Sequence, residues 1–377
     1  MKNSSIMHKP YTFFLVIMLL VTTGFYAQSP ILKSPPNGGN KLASVSERIG
    51  ITDVSIHYSR PGVKGREGKI YGTPIVHKGF IDMRNDYGAS KGAPWRAGAN
   101  ENTTIEFSTD VKVEGKDLAA GRYGFFIAYD SSECTVIFSK NSTSWGHYFY
   151  DDKEDALRVK VKPQKLDKSV EWLRYEFMNE TENSAVIALE WEKLRIPFKV
   201  ETDLVKTELD DFRLELRSGY AWSWEALDQA AEFCIQNNTD LEEALGWAKN
   251  AVVGLKSFHT LHVESEILEK LNRKSEADVA MKDAVKVASM QELHLYGREL
   301  LSQKKKEQAL EIFKENARRN PDQFTTYMGL ARGYSANGDY KTALKNIHLA
   351  LPLAPDEPNK KAVTDMSGKL EKGMDIN

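Results

Sequence analysis

From about residue 43 to residue 200, apolar side chains recur at every second position, the period of strands that bury one face. Val54, Ile56 and Tyr58 alternate with Ser55, His57 and Ser59, and Tyr123, Phe125, Ile127 and Tyr129 share a face. The same alternation runs through 105–107, 111–113, 134–138, 157–161, 173–177, 185–191 and 196–200, with Gly, Asn, Asp and Pro turns between the runs. Many short strands with no convincing helix among them predict an antiparallel β-sandwich over 43–203 and argue against a βαβ nucleotide-binding fold.

After about residue 209 the period becomes helical, and the chain repeats itself. Ala309, Phe313 and Pro321 return 34 positions later as Ala343, Ile347 and Pro355. Fainter copies precede them at Ala277, Met281 and Ala284, and at Ala244, Ala248 and Ala251. A small residue lets two helices approach, the bulky residue four positions on fills the groove, and proline closes the unit. With Gly297 and Tyr334 also in register, the last two units resemble tetratricopeptide repeats, and an all-α repeat array is expected over 209–372. Its seam should run through Ala277, Met281, Ala309, Phe313, Ala343 and Ile347, with residues 203–210 linking it to the sandwich.

The first residues read as an address. Lys2, His8 and Lys9 precede an apolar stretch over 11–21 and a small-residue step at Ala27–Gln28, the pattern of a secretory signal peptide over 1–27, followed by a flexible linker over 28–42. The apolar stretch is shorter than the roughly 20 residues a bilayer span needs. A retained anchor is the alternative. Without a cysteine near the cleavage step a lipoprotein anchor is excluded, so the protein is expected to be exported, periplasmic or extracellular, with no membrane span after cleavage.

Composition narrows the classes further. Lys plus Arg number 51 against 53 Asp plus Glu, which offers no excess positive charge for nucleic-acid binding. Cys134 and Cys234, the 2 cysteines, cannot build a disulfide framework or a four-ligand zinc site and are expected to stay unpaired and buried.

Within the β half, Tyr58-Ser59-Arg60-Pro61-Gly62-Val63-Lys64-Gly65-Arg66, Trp95-Arg96-Ala97-Gly98-Ala99-Asn100, Thr103-Thr104, Ala120-Gly121-Arg122-Tyr123 and Trp145-Gly146 occur in that order. Together they resemble the DUF2911 family, exported proteins mostly of Bacteroidetes and relatives, defined without an assigned activity. The resemblance spans roughly residues 40–200. It departs from the family pattern at Ala97, where Thr is usual, and over residues 73–94, a longer connection than usual.

Arg60, Arg66, Trp95, Arg96, Asn100 and Trp145 are the candidate ligand-binding residues. Guanidinium forks, an indole surface and glycine-rich turns suit a carboxylate, a phosphate or a sugar. The same residues also suit a purely structural role, with arginines tying loops to carbonyls and tryptophans plugging the end of the sandwich. Other chemistry fails on context. Residues 88–92 match G-x-S-x-G but lack the strand and helix of a nucleophile elbow, and read as a flexible loop. His259 and His262 are three positions apart on a helix without a visible third ligand, so no metal and no cofactor are expected. His57 falls on a solvent face, and His147 near the motif cluster has no evident partner. The expected function is that of an exported envelope interaction protein, with a β-sandwich that recognises a small anionic or sugar ligand and a repeat array that binds a protein or peptide. The alternative is a cell-envelope enzyme, a hydrolase or lyase acting on a glycan held near Arg96, for which no carboxylate pair or activated nucleophile is assignable.

Overall fold

The structure, a computed structural model, describes residues 39–85 and 87–377, so the signal-peptide reading of 1–27 and most of the predicted linker lie outside the described residues. Among the described residues, ten strands build the first half: β1 (Lys41–Ile49), β2 (Thr52–Arg60), β3 (Thr103–Phe107), β4 (Val111–Val113), β5 (Lys116–Leu118), β6 (Gly121–Ala128), β7 (Cys134–Ser139), β8 (Asp155–Val161), β9 (Gln164–Met178) and β10 (Ser184–Glu201). They form a six-stranded sheet ordered β1-β2-β3-β6-β7-β8 and a four-stranded sheet ordered β5-β4-β10-β9, antiparallel throughout.

The inward faces meet as the alternation predicts. Phe125 and Phe138 of the larger sheet pack on Phe198 of the smaller at ring-centroid distances of 5.4 and 5.9 Å, and Tyr58 meets Tyr175 edge-on at 4.7 Å. β10 is irregular where it matters for the site. Its register slips on both sides of Glu192, whose φ of 53° marks a bulge. The bulge turns the Glu192 carboxylate to accept the Gly68 N–H at 2.6 Å, and the Trp191 carbonyl accepts the Tyr71 hydroxyl at 3.2 Å. The long connection after β2 is thereby fastened to the opposite sheet.

The second half is helical: α1 (Leu204–Glu215), α2 (Trp224–Asn237), α3 (Leu241–Gly254), α4 (Phe258–Lys270), α5 (Lys274–Val287), α6 (Met290–Ser302), α7 (Lys306–Arg319), α8 (Phe324–Ala336), α9 (Tyr340–Ala350) and α10 (Glu357–Glu371). The segment expected to link the halves is itself helix, because Asp203 caps α1 by accepting the Lys206 N–H at 3.1 Å and Leu209 is buried beneath it. Four antiparallel pairs follow, α2–α3, α4–α5, α6–α7 and α8–α9. Trp224 to Phe258 is 34 positions, Phe258 to Met290 is 32, and Met290 to Phe324 is 34. Ala244, Ala277, Ala309 and Ala343 are buried at the pair crossings, while α10 closes the array by packing Val363 and Leu370 on the last pair. Met281, expected in the seam, is only part-buried and borders a cleft between the second and third pairs. Cys134 and Cys234 are free and buried, and burial pushes both thiols up to about 11. No helix among the described residues is long and apolar enough to cross a membrane.

Candidate functional site

The six candidate residues do not form one cluster. Arg60, at the end of β2, donates through Nε to the Leu173 carbonyl at 2.7 Å and through Nη2 to the Trp172 carbonyl at 3.4 Å, which stitches the two sheets together. Arg66 closes its own turn by donating to the carbonyls of Val63 at 2.9 Å and Gly62 at 2.7 Å. Trp145 is 54% exposed, and neither it nor Arg60 lines the cleft that the other four border. Arg66, Trp95, Arg96 and Asn100 do converge, on a cleft of about 880 Å³ at the end of the sandwich.

Trp95 pairs its backbone with Ile127 in both directions, at 3.0 and 2.9 Å, and its buried indole stacks on Trp191 across the sandwich with centroids 6.2 Å apart. The following residue is held on several sides at once. Arg96 donates through Nη1 to the Asn100 carbonyl at 2.6 Å and through Nε to His147 Nδ1 at 3.2 Å, and its guanidinium lies 4.9 Å from the centre of the Tyr148 ring. Gly146 presses against it: a Cβ there would stand 2.3 Å from Nη1, and the φ of 59° is itself glycine-favouring. The turn from Ala97 to Asn100 is stitched in the same way. Ala97 and Asn100 both have positive φ, the Ala97 carbonyl accepts the hydroxyls of Thr103 at 3.2 Å and Tyr175 at 2.8 Å, and Asn100 Oδ1 accepts the Asn40 amide at 3.1 Å.

The unusual stretch 73–94 supplies one wall of the cleft through Ile75, His77, Ile81, Asp82 and Met83. It is not a loose loop. Ile81 and Ala93 pair their backbones, Met83 N–H donates to the Ser90 carbonyl at 2.9 Å, and the N–H groups of Ala89 and Ser90 share the Tyr148 carbonyl. Ser90 is buried, with its hydroxyl accepting the Gly92 N–H at 3.4 Å and no helix after it, so the G-x-S-x-G match is a pinned turn rather than the flexible loop expected. His57 is exposed, as its strand face predicts.

Burial, reinforced by Arg96 and His77, pushes His147 down to about 3, and burial also lowers His77 and the Arg96 guanidinium. Since Arg96 Nε is a donor, His147 Nδ1 must carry its lone pair, which places the proton of the neutral ring on Nε2. A histidine kept neutral in the fold takes up a proton in the unfolded chain below about pH 6.5, so its stabilisation is complete above that pH and is lost as pH falls toward 3. Thermal melts between about pH 7 and pH 4.5 are therefore expected to show a falling midpoint, and His147→Gln, which keeps an acceptor for Arg96, should flatten that slope. An unchanged slope would remove His147 as its source.

Sequence reasoning missed His77, Tyr148 and the role of Gly146. Trp145-Gly146 drew attention through its tryptophan, whereas the glycine makes the contact. On the helical half, His262 does not join His259 as a ligand but stacks on Phe258, centroids 5.5 Å apart.

Comparison with known proteins finds a family match in the β half of the chain. Residues 40–200 match the family described as "Protein of unknown function (DUF2911)". No curated protein matches the chain. Similar solved structures align with two-fifths or a little more of the chain. MamA of Desulfovibrio magneticus RS-1 shows 16% identity over 40% of this chain and 93% of that one, with a TM-score of 0.25. YrrB, titled a TPR protein with an unusual peptide-binding site, shows 16% identity over 43% and 84%, with a TM-score of 0.28. The C-terminal part of a TPR repeat-containing protein from Cytophaga hutchinsonii shows 13% identity over 45% and 67%, with a TM-score of 0.32. Residues 40–200 match the DUF2911 family model, and the same chain carries an array of stacked helix pairs behind them.

Proposed function

We propose that the protein is an exported interaction protein whose DUF2911 domain holds a small anionic ligand against Arg96 and whose helical array binds an acidic protein or peptide segment. The observation that carries the first part is a part-buried guanidinium at a large cleft without a carboxylate partner among the described residues. Its recorded neighbours are a carbonyl, a neutral imidazole and a tyrosine ring, and the cleft's Asp82 is taken up by Arg84. A cation in that setting gains from an incoming carboxylate or phosphate, which meets it as a charge-assisted pair. Calorimetric titration of the intact chain with a small dicarboxylate, inorganic phosphate and a uronic acid is expected to show one equivalent of at least one of them binding. Heat from none of the three would overturn the reading.

For the array, stacked helix pairs present the first helix of each pair along a concave side suited to extended partners. On α6 and α8, Arg298 and Arg332 lie close to His294, which burial and the two arginines push down to about 4; Arg298 is exposed, while Arg332 is part-buried and donates to the Ile376 carbonyl at 3.3 Å. The exposed Arg298 guanidinium beside a neutral imidazole favours an acidic segment. Export is supported by the charge and apolar pattern of residues 1–27.

A further inference from the structure

A second constellation lies between the first two helix pairs. Asp228 and Glu232 stand one turn apart on α2, so their carboxylates share a face, and His259 lies in the first turn of α4, which packs against α2. His259 Nε2 is 2.5 Å from Asp228 Oδ2 and 3.6 Å from Glu232 Oε1, and one ligand atom from each of the three lies within 4.8 Å of the others. A hydrogen bond between His259 and Asp228 accounts for part of this. It does not account for the other Asp228 oxygen, Oδ1, which is buried and has no hydrogen-bond partner on a side chain only 6% exposed. A carboxylate oxygen sealed from water and unpaired is costly unless a cation takes up its charge.

We propose that Asp228, Glu232 and His259 form a binding site for a divalent transition-metal ion of the Zn2+ type, bridging the first helices of the first two pairs. One imidazole and two carboxylates are a donor set that suits such ions, and with Glu232 and His259 half exposed the ion keeps a position open to solvent. Ligand bonds of about 2.0–2.2 Å around a tetrahedral ion set neighbouring donors roughly 3.3 Å apart. His259 therefore has to retreat from Asp228 by less than about 1 Å, which its exposure permits. A bound ion would also pin α4 to α2, fixing the start of the concave side.

The test uses the full untagged chain, stripped of metal by a chelator and titrated with Co2+ for its visible bands and with Zn2+ against a chromophoric chelator. One equivalent is expected, with the intense absorption of a low-coordinate Co2+ site and a rise in thermal midpoint on adding Zn2+. Glu232→Gln, a near-isosteric change at a half-exposed position, and His259→Gln should each weaken binding at least about tenfold while retaining the helical circular dichroism. Absence of a stoichiometric site, or variants that bind as the parent does, would overturn the proposal. Neither result bears on Arg96, whose cleft lies on the other half of the chain.

Discussion

Phe313→Ala lowers the unfolding free energy of the helical half by about 3–5 kcal/mol, the expected cost of emptying a fully buried aromatic position. The ring is wholly buried, and three glycines surround it. A Cβ at Gly297 would stand 2.4 Å from it, one at Gly329 2.6 Å, and one at Gly333 2.9 Å, so α6 and α8 close around Phe313 on α7 with no room for another methyl. Because the neighbouring helices meet on the ring itself, they cannot collapse far into the space it leaves. Met281 occupies the corresponding position one unit earlier but borders a cleft, so Met281→Ala should cost markedly less. Denaturant unfolding followed by far-ultraviolet circular dichroism checks both. Equal losses for the two would mean that Met281 is packed as fully as Phe313 despite the cleft beside it.

Arg96→Lys should reduce anion affinity by at least about tenfold, or about 1.4 kcal/mol, because an ammonium cannot reproduce a planar fork. It should also cost about 1 kcal/mol of stability, since the Asn100 and His147 bonds depend on the same geometry. Gly146→Ala separates charge from placement. The added methyl falls onto the guanidinium and occupies a backbone conformation that favours glycine, so binding should fall although the charge remains. Trp145→Ala removes an exposed ring outside the cleft and should leave affinity unchanged. Calorimetry on the four proteins reads these outcomes. Loss of binding in Trp145→Ala with none in Gly146→Ala would relocate the site.

The legible parts of the fold are those where one face of an element is buried along its whole length. β2 and the 196–200 end of β10 alternate because one face of each lies in the sandwich, whereas β6 is buried on both faces from Tyr123 onward, and the alanines of the array recur because each marks a helix crossing. α1 hid among Lys206, Glu208, Asp210 and Asp211, with only Thr207 and Leu209 buried to mark its period. Residue type drew attention to three arginines without telling their bonds apart: Arg60 and Arg66 spend their guanidinium groups on carbonyls, and of the three Arg96 alone faces an imidazole and a ring. His77 belongs to a wall built from backbone pairings with no periodicity to announce it. Asp228 and His259 stand 31 positions apart, and only the packing of two helices brings them together.

A crystal structure of the intact protein soaked with the anion that binds best in solution tests the central claim most directly. Ligand density within hydrogen-bonding distance of the Arg96 guanidinium, enclosed by Trp95, Asn100 and the wall from Ile75 to Met83, is the expected result. Density for the same anion elsewhere on the sandwich, with the cleft occupied by solvent alone, would contradict it and leave Arg96 as a tie between Asn100 and His147.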